Sequence, residues 1–125
     1  MSLLLSENST TAKSTVFVHS DKLIGIGIEE IAMLKTAAAQ DLLGRARICL
    51  HRSHDDNVQE MVIAFTRNSY IRPHKHKNKS ESFHIIEGTL LVVFFDDSGS
   101  VVKSISMGPP GSGRSFLLRD RKSVV

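Results

Sequence analysis

The sequence predicts a mainly β fold, a sandwich or barrel of short strands preceded by one amphipathic helix. Three observations carry this expectation. Apolar residues between Ile28 and Leu43 recur at three- and four-residue spacing, whereas after Gly44 the period shortens to two. The chain beyond Gly44 then breaks into short apolar runs separated by turn residues, with Asp96-Asp97-Ser98-Gly99 as the clearest hairpin signal. The aromatic content is thin, with six Phe, one Tyr and no Trp, so a core must be built from Val, Ile and Leu runs, which favour sheet.

In chain order, residues 1–14 are rich in Ser, Thr and Asn and are expected to form a mobile N-terminal segment. Residues 15–125 are expected to form a single domain. The helix is predicted over 28–43, with Ile28, Ile31, Ala32, Leu34, Ala38, Leu42 and Leu43 on its apolar face and Gly44 placed to end it. Strands are predicted near Arg45–His51, Val58–Thr66, Tyr70–His76, Ser82–Ile86, Thr89–Phe95, Val101–Met107 and Ser115–Arg119. Glu87-Gly88 breaks one pair of these strands, and the Asp96–Gly99 turn should join the next pair antiparallel.

Composition bounds the partners. A chain of 125 residues with 41% hydrophobic content suits one globular core. A single cysteine, Cys49, allows no internal disulfide and no Cys-rich zinc module, so a reducing cytoplasm is the expected compartment. The opening Met-Ser-Leu-Leu-Leu-Ser-Glu lacks the basic region and long apolar run of a secretory signal. No apolar run approaches the roughly 20 residues that span a bilayer, so no membrane partner is expected. The formal charge of +3 permits an anionic ligand. Its basic residues gather at Lys75, Lys77 and Lys79 and at Arg114, Arg119, Arg121 and Lys122, without the interleaved aromatics or recognition helix that nucleic-acid binding requires.

The segment Tyr70 to Gly88 holds the candidate chemistry. On a strand, side chains two apart leave the same face, so His74 and His76 can aim two imidazoles at one point, with Tyr70 and Arg72 on that face. A four-residue connection returns Glu81 beside them as an oxygen ligand. Two histidines and one carboxylate suit one divalent ion, Fe, Mn, Zn or Ni. His84, three residues beyond Glu81, should emerge on the opposite face, while Phe83 and Ile85 share the face of Glu81.

Arg72 and Tyr70 are the candidates to touch an anionic or hydroxylated small molecule. Arg47, Cys49 and His51 share one face of an earlier strand, opposite Ala46, Ile48 and Leu50, and either set could point inward. Arg47 and His51 are therefore further substrate-binding candidates. Cys49 has no base partner in the sequence and reads as a buried small hydrophobe. His19 and His54 read as bystanders, and Glu60 and Glu87 receive no role.

The same stretch resembles the first cupin motif, a His-x-His followed by Glu and then Gly, and matches it at His74, His76, Glu81 and Gly88. Asn68 stands where that motif has a glycine, and asparagine tolerates the left-handed conformation. A closer likeness is to the WbuC family of cupin-fold metalloproteins. It is carried by Arg45 to His51, Val58-Gln59-Glu60-Met61, Tyr70 through Gly88 and the Phe94 to Gly99 hairpin, and covers roughly residues 28–119.

This resemblance implies a cupin barrel, the double-stranded β-helix or jelly roll, in a cytoplasmic metal-binding protein often associated with surface-polysaccharide or sugar-nucleotide metabolism. The departure is the second cupin motif. Gly108 to Gly113 supplies a turn before that region, yet no histidine follows His84. The expected barrel is therefore incomplete at its C-terminus, with three protein ligands at most from this segment, and its open edges point to a homo-oligomer. The expected ligand is a carbohydrate or sugar-nucleotide type small molecule. Enzymatic turnover, non-catalytic sugar or phosphate binding, and a shortened inactive cupin all remain open at this stage.

Overall fold

Local sequence signals translate into a mainly β structure with one helix, and none of its sheets closes on itself among the described residues. The computed structural model describes residues 3–5, 14–19, 21–67, 69–75 and 79–121. They fall into two compact units, Met1–Ile71 and Arg72–Val125.

The first unit is a four-stranded sheet with one helix. Its elements are β1 (Leu3–Leu5), β2 (Thr15–His19), α1 (Ile28–Gln40), β3 (Arg45–Cys49) and β4 (Met61–Phe65), and the sheet order follows the strand numbers. β1 and β2 pair antiparallel, as do β3 and β4, but β2 and β3 run parallel with Phe17 beside Ile48. Parallel neighbours need a long crossover, and α1 provides it. Neither β1, which lies in the stretch expected to be a mobile lead-in, nor β2 is among the strands predicted from periodicity.

α1 begins at Gly27, whose amide donates to the Glu30 side chain at 3.0 Å. This is half a capping box, because glycine has no side chain to return a bond. Glu29 and Glu30 also place negative charge at the positive end of the helix dipole. The helix ends at Gln40, three residues short of its predicted end, because the Asp41 side chain takes over the next amides. Asp41 Oδ2 accepts from Leu43 N at 2.9 Å and Arg45 N at 3.4 Å. Gly44 serves the turn into β3 and not the helix end. Its φ is +71°, and a Cβ there would collide with Thr66 Oγ1.

Periodicity sets the core. Leu34 and Ala38 of α1 pack with Ala46 and Ile48 of β3, all at most 1% exposed, and Phe17, Val62 and Ala64 close around them. Burying a side chain the size of Ile48 contributes roughly 1.5–3 kcal/mol. The opposite face of β4 shows Met61, Ile63 and Phe65 at 36–40% exposure.

The second unit contains β5 (Glu81–His84), β6 (Leu90–Phe95), β7 (Val101–Met107) and β8 (Leu117–Asp120). β6 and β7 form the predicted hairpin. Asp96 Oδ1 accepts from Ser98 N, Ser100 N and Ser98 Oγ at 2.6–2.9 Å, and Gly99 adopts φ +87°. Hydrogen bonds from Ser98 and Ser100 hold the Asp96 carboxyl below its usual pKa. β5 pairs with β8 and not with the hairpin that follows it, in the register Glu81–Asp120, Ser82–Arg119 and Phe83–Leu118.

One predicted strand is absent. Tyr70 to Lys75 forms no strand, and His76 lies outside the described residues. Pro73 has no amide to donate to a ladder, and the Arg72 carbonyl is engaged by the His74 ring, so this segment lacks the pairing groups that a strand requires.

Candidate functional site

The loop that replaces the predicted strand removes the parity argument for the two histidines, but it orients one of them. His74 Nδ1 lies 3.0 Å from the Arg72 carbonyl oxygen. A carbonyl only accepts, so Nδ1 is the donor in this bond, and in the tautomer with one ring proton the lone pair is on Nε2. Metal-binding histidines are commonly held this way, with one ring nitrogen on a backbone carbonyl and the other directed at the ion. The neighbouring Lys75 pairs with Asp97 at the hairpin tip, 3.4 Å away and largely exposed. Such a surface pair contributes only about 0–1 kcal/mol.

Glu81 opens β5. Glu81, Phe83 and Ile85 are half-buried while Ser82, His84 and Ile86 are exposed, so Glu81 shares its face with two apolar side chains. Across the ladder its partner is Asp120. His84 points to the other face, where its ring lies against Phe116 with centroids 6.1 Å apart. Gly88, the glycine of the motif, adopts φ +80° with no atom within 4 Å of where a Cβ would stand, so backbone conformation and not space requires glycine there.

His74, Glu81 and Arg72 belong to the second unit, and Arg72 is exposed. His76 lies outside the described residues. Among the described residues no three His, Cys, Asp or Glu side chains are placed together to hold a metal ion.

The remaining candidates belong to the first unit. Tyr70 is 72% exposed, and its carbonyl accepts from Arg45 Nη1 at 3.1 Å. Packing of Ala46 and Ile48 against α1 decides the question left open for β3: Arg47 and Cys49 take the other face. Arg47 Nε is buried with no hydrogen-bond partner among the described residues. Cys49 is a buried free thiol. His51 Nδ1 lies within 3.2 Å of both Glu60 O and Glu60 N, so either tautomer can close the end of the β3–β4 ladder.

Sequence reasoning passed over His19. Its side chain is enclosed, Nδ1 accepts the Asp21 amide at 3.1 Å, and Nε2 is buried without a partner among the described residues. No periodic signal precedes the helix strongly enough to mark His19 as a strand residue.

No helix among the described residues is long and apolar enough to cross a membrane. No curated protein and no solved structure matches the chain. A family model described as a domain of unknown function, DUF6016, matches residues 26–107, from just before α1 to the end of β7, and the chain belongs to that family.

Proposed function

We propose that this chain is a metal-binding cupin of the WbuC kind, holding one divalent ion (Fe, Mn, Zn or Ni) through His74, His76 and Glu81. Arg72 then meets an anionic or sugar-like small molecule. The observation that carries this reading is the His74 ring, whose Nδ1 is tied to the Arg72 carbonyl so that Nε2 is the nitrogen able to donate to a metal. Two further features support it. Glu81 sits on a half-buried strand face with Phe83 and Ile85, which suits a carboxylate ligand kept from bulk water. The β5–β8 pairing encloses the β6–β7 hairpin, a return connection typical of Greek-key and jelly-roll sheets.

A divalent ion held there would supply a Lewis acid. The protein's own contribution is to orient the imidazole through Arg72 O, to exclude water with Phe83 and Ile85, and to offer the Arg72 guanidinium to an anion. A homo-oligomer belongs to the same proposal, supported by the exposed Met61, Ile63 and Phe65 face of β4.

Elemental analysis of the chain purified from medium containing Fe, Mn, Ni and Zn tests the reading. About one ion per chain is expected, lost in His74→Ala and in Glu81→Ala. An ion content near zero in the wild type, or unchanged in both variants, would reject it.

A further inference from the structure

β4 is an outer strand of the four-stranded sheet, and among the described residues β3 is the strand it pairs with. The hydrogen bonds of that pair show which backbone groups of β4 are left over. Leu50 N donates to Glu60 O and Thr66 N donates to Gly44 O, both at 2.8 Å. In an antiparallel ladder hydrogen-bonded and non-bonded pairs alternate, so the register makes Ala46 with Ala64 and Ile48 with Val62 the bonded pairs between them. Val62 and Ala64 therefore turn their amides and carbonyls towards β3, while Met61, Ile63 and Phe65 turn theirs to the open edge. Among the described residues no backbone hydrogen bond reaches them there.

Edge strands are ordinarily blunted by a charge, a proline or a bulge. The strand Met61-Val62-Ile63-Ala64-Phe65 has none of these, and its ladder with β3 runs without a register shift. The residues whose backbone faces the open edge are also the ones with exposed side chains, Met61, Ile63 and Phe65. An occupant of this edge is thus an extended strand with matching donors and acceptors and with apolar side chains on one face.

A second β4 meets both requirements, and its direction is set by charge. Glu60 and Arg67 are exposed just beyond the two ends of the strand. An antiparallel copy brings the Glu60 end of one strand to the Arg67 end of the other, whereas a parallel copy sets like charges side by side. Centred on Ile63, the antiparallel register uses every outward backbone group. It places Ile63 opposite the partner's Ile63 and Met61 opposite the partner's Phe65, a sulfur–aromatic pair on the exposed face.

We infer that two copies of this chain join edge to edge through β4, antiparallel about a two-fold axis at Ile63, into one continuous sheet. The inference rests on the homo-oligomer named with the proposed function and not on its metal site, because none of His74, His76 and Glu81 lies on β4.

The full chain is studied by sedimentation equilibrium in chelator, so that metal content plays no part. A dimer is expected, and Ile63→Lys should raise its dissociation constant roughly tenfold or more, since two ammonium groups then face each other at the axis. Cysteine cross-linking keeps the test independent of how well that variant folds. Cys49 is the single cysteine of the chain, so Cys49→Ala removes the native thiol. In that background Ile63→Cys sets two thiols on residues whose Cα atoms lie about 5.5 Å apart across the axis, inside the roughly 4.4–6.8 Å of disulfides. Oxidised glutathione should link it into a dimer that dithiothreitol releases. Phe65→Cys should stay unlinked, because the partner's Phe65 is then roughly 14 Å away. A wild type that is monomeric throughout would overturn both the oligomer and the edge pairing. An oligomer that neither weakens in Ile63→Lys nor cross-links through Ile63→Cys would overturn the edge pairing alone, and equal cross-linking of Ile63→Cys and Phe65→Cys would overturn the register.

Discussion

The Asp41 carboxylate accepts both the Thr15 amide at 2.9 Å and the Thr15 hydroxyl at 2.8 Å, tying the start of β2 to the turn that leaves α1. The same side chain receives Leu43 and Arg45 amides, so one residue satisfies groups from the crossover helix exit and from both parallel strands it connects. Partial burial alone would raise its pKa. The hydrogen bonds from Thr15, Leu43 and Arg45 outweigh that and hold the carboxyl below its ordinary value.

Asp41→Asn should therefore destabilise the protein by about 1–3 kcal/mol at neutral pH, because the amide nitrogen cannot accept from Leu43 and Arg45. A carboxyl whose folded pKa is depressed contributes stability above its unfolded pKa, roughly 3.9, and loses it as pH falls through the lower folded value. The gap between wild type and variant is expected to close below about pH 4. Urea melts across pH 2.5–7 measure it, and a gap constant over that range would contradict the assignment.

Gly44→Ala should lower stability by about 1–3 kcal/mol, since the left-handed backbone is strained with a side chain and the added methyl meets Thr66 Oγ1. Thr66→Ser keeps the hydroxyl that bonds the Gly44 carbonyl at 2.9 Å and should cost far less. Thermal denaturation of the two variants side by side separates these effects.

The two faces of β3 should respond oppositely. Ile48→Ala empties a fully buried position and is expected to cost about 2–5 kcal/mol. Arg47→Met removes a buried nitrogen that has no partner among the described residues, and replacing it with an apolar stem should leave stability within about 1 kcal/mol of wild type or raise it. A large loss in Arg47→Met would show that the guanidinium makes an interaction the chain depends on.

Metal binding to the native state alone stabilises it, by about 2.7 kcal/mol when free metal is a hundredfold above Kd. Chelation should lower the melting temperature by several degrees, and readdition of the ion found by elemental analysis should restore it. His74→Ala should melt like the chelated wild type with or without metal. Identical melting of wild type in chelator and in metal would leave no thermodynamic trace of the proposed site.

Elements encoded by near neighbours were legible in the sequence. The spacing of Ile31, Leu34 and Ala38 announced α1, the alternation around Ala46 and Ile48 announced β3, and Asp96 to Gly99 marked the β6–β7 hairpin with its pairing. Tyr70 to Lys75 misled, because its polar alternation imitates a strand while Pro73 and the His74 ring withdraw the groups that pairing needs. Among the site residues, the alternation that separates Glu81 from His84 could be read directly. The orientation of His74 could not, because its ring is set by a backbone oxygen and not by strand parity.

By itself, then, the sequence determined the local period of each segment, its turn chemistry and the ligand types gathered between His74 and Glu81. Only the tertiary structure decided that β2 lies parallel to β3, that β5 returns to β8 and that Ala46 and Ile48 face the helix. The reason is range: periodicity and turns depend on residues a few positions apart, whereas strand partners are chosen by burial and hydrogen-bond closure between segments far apart in the chain.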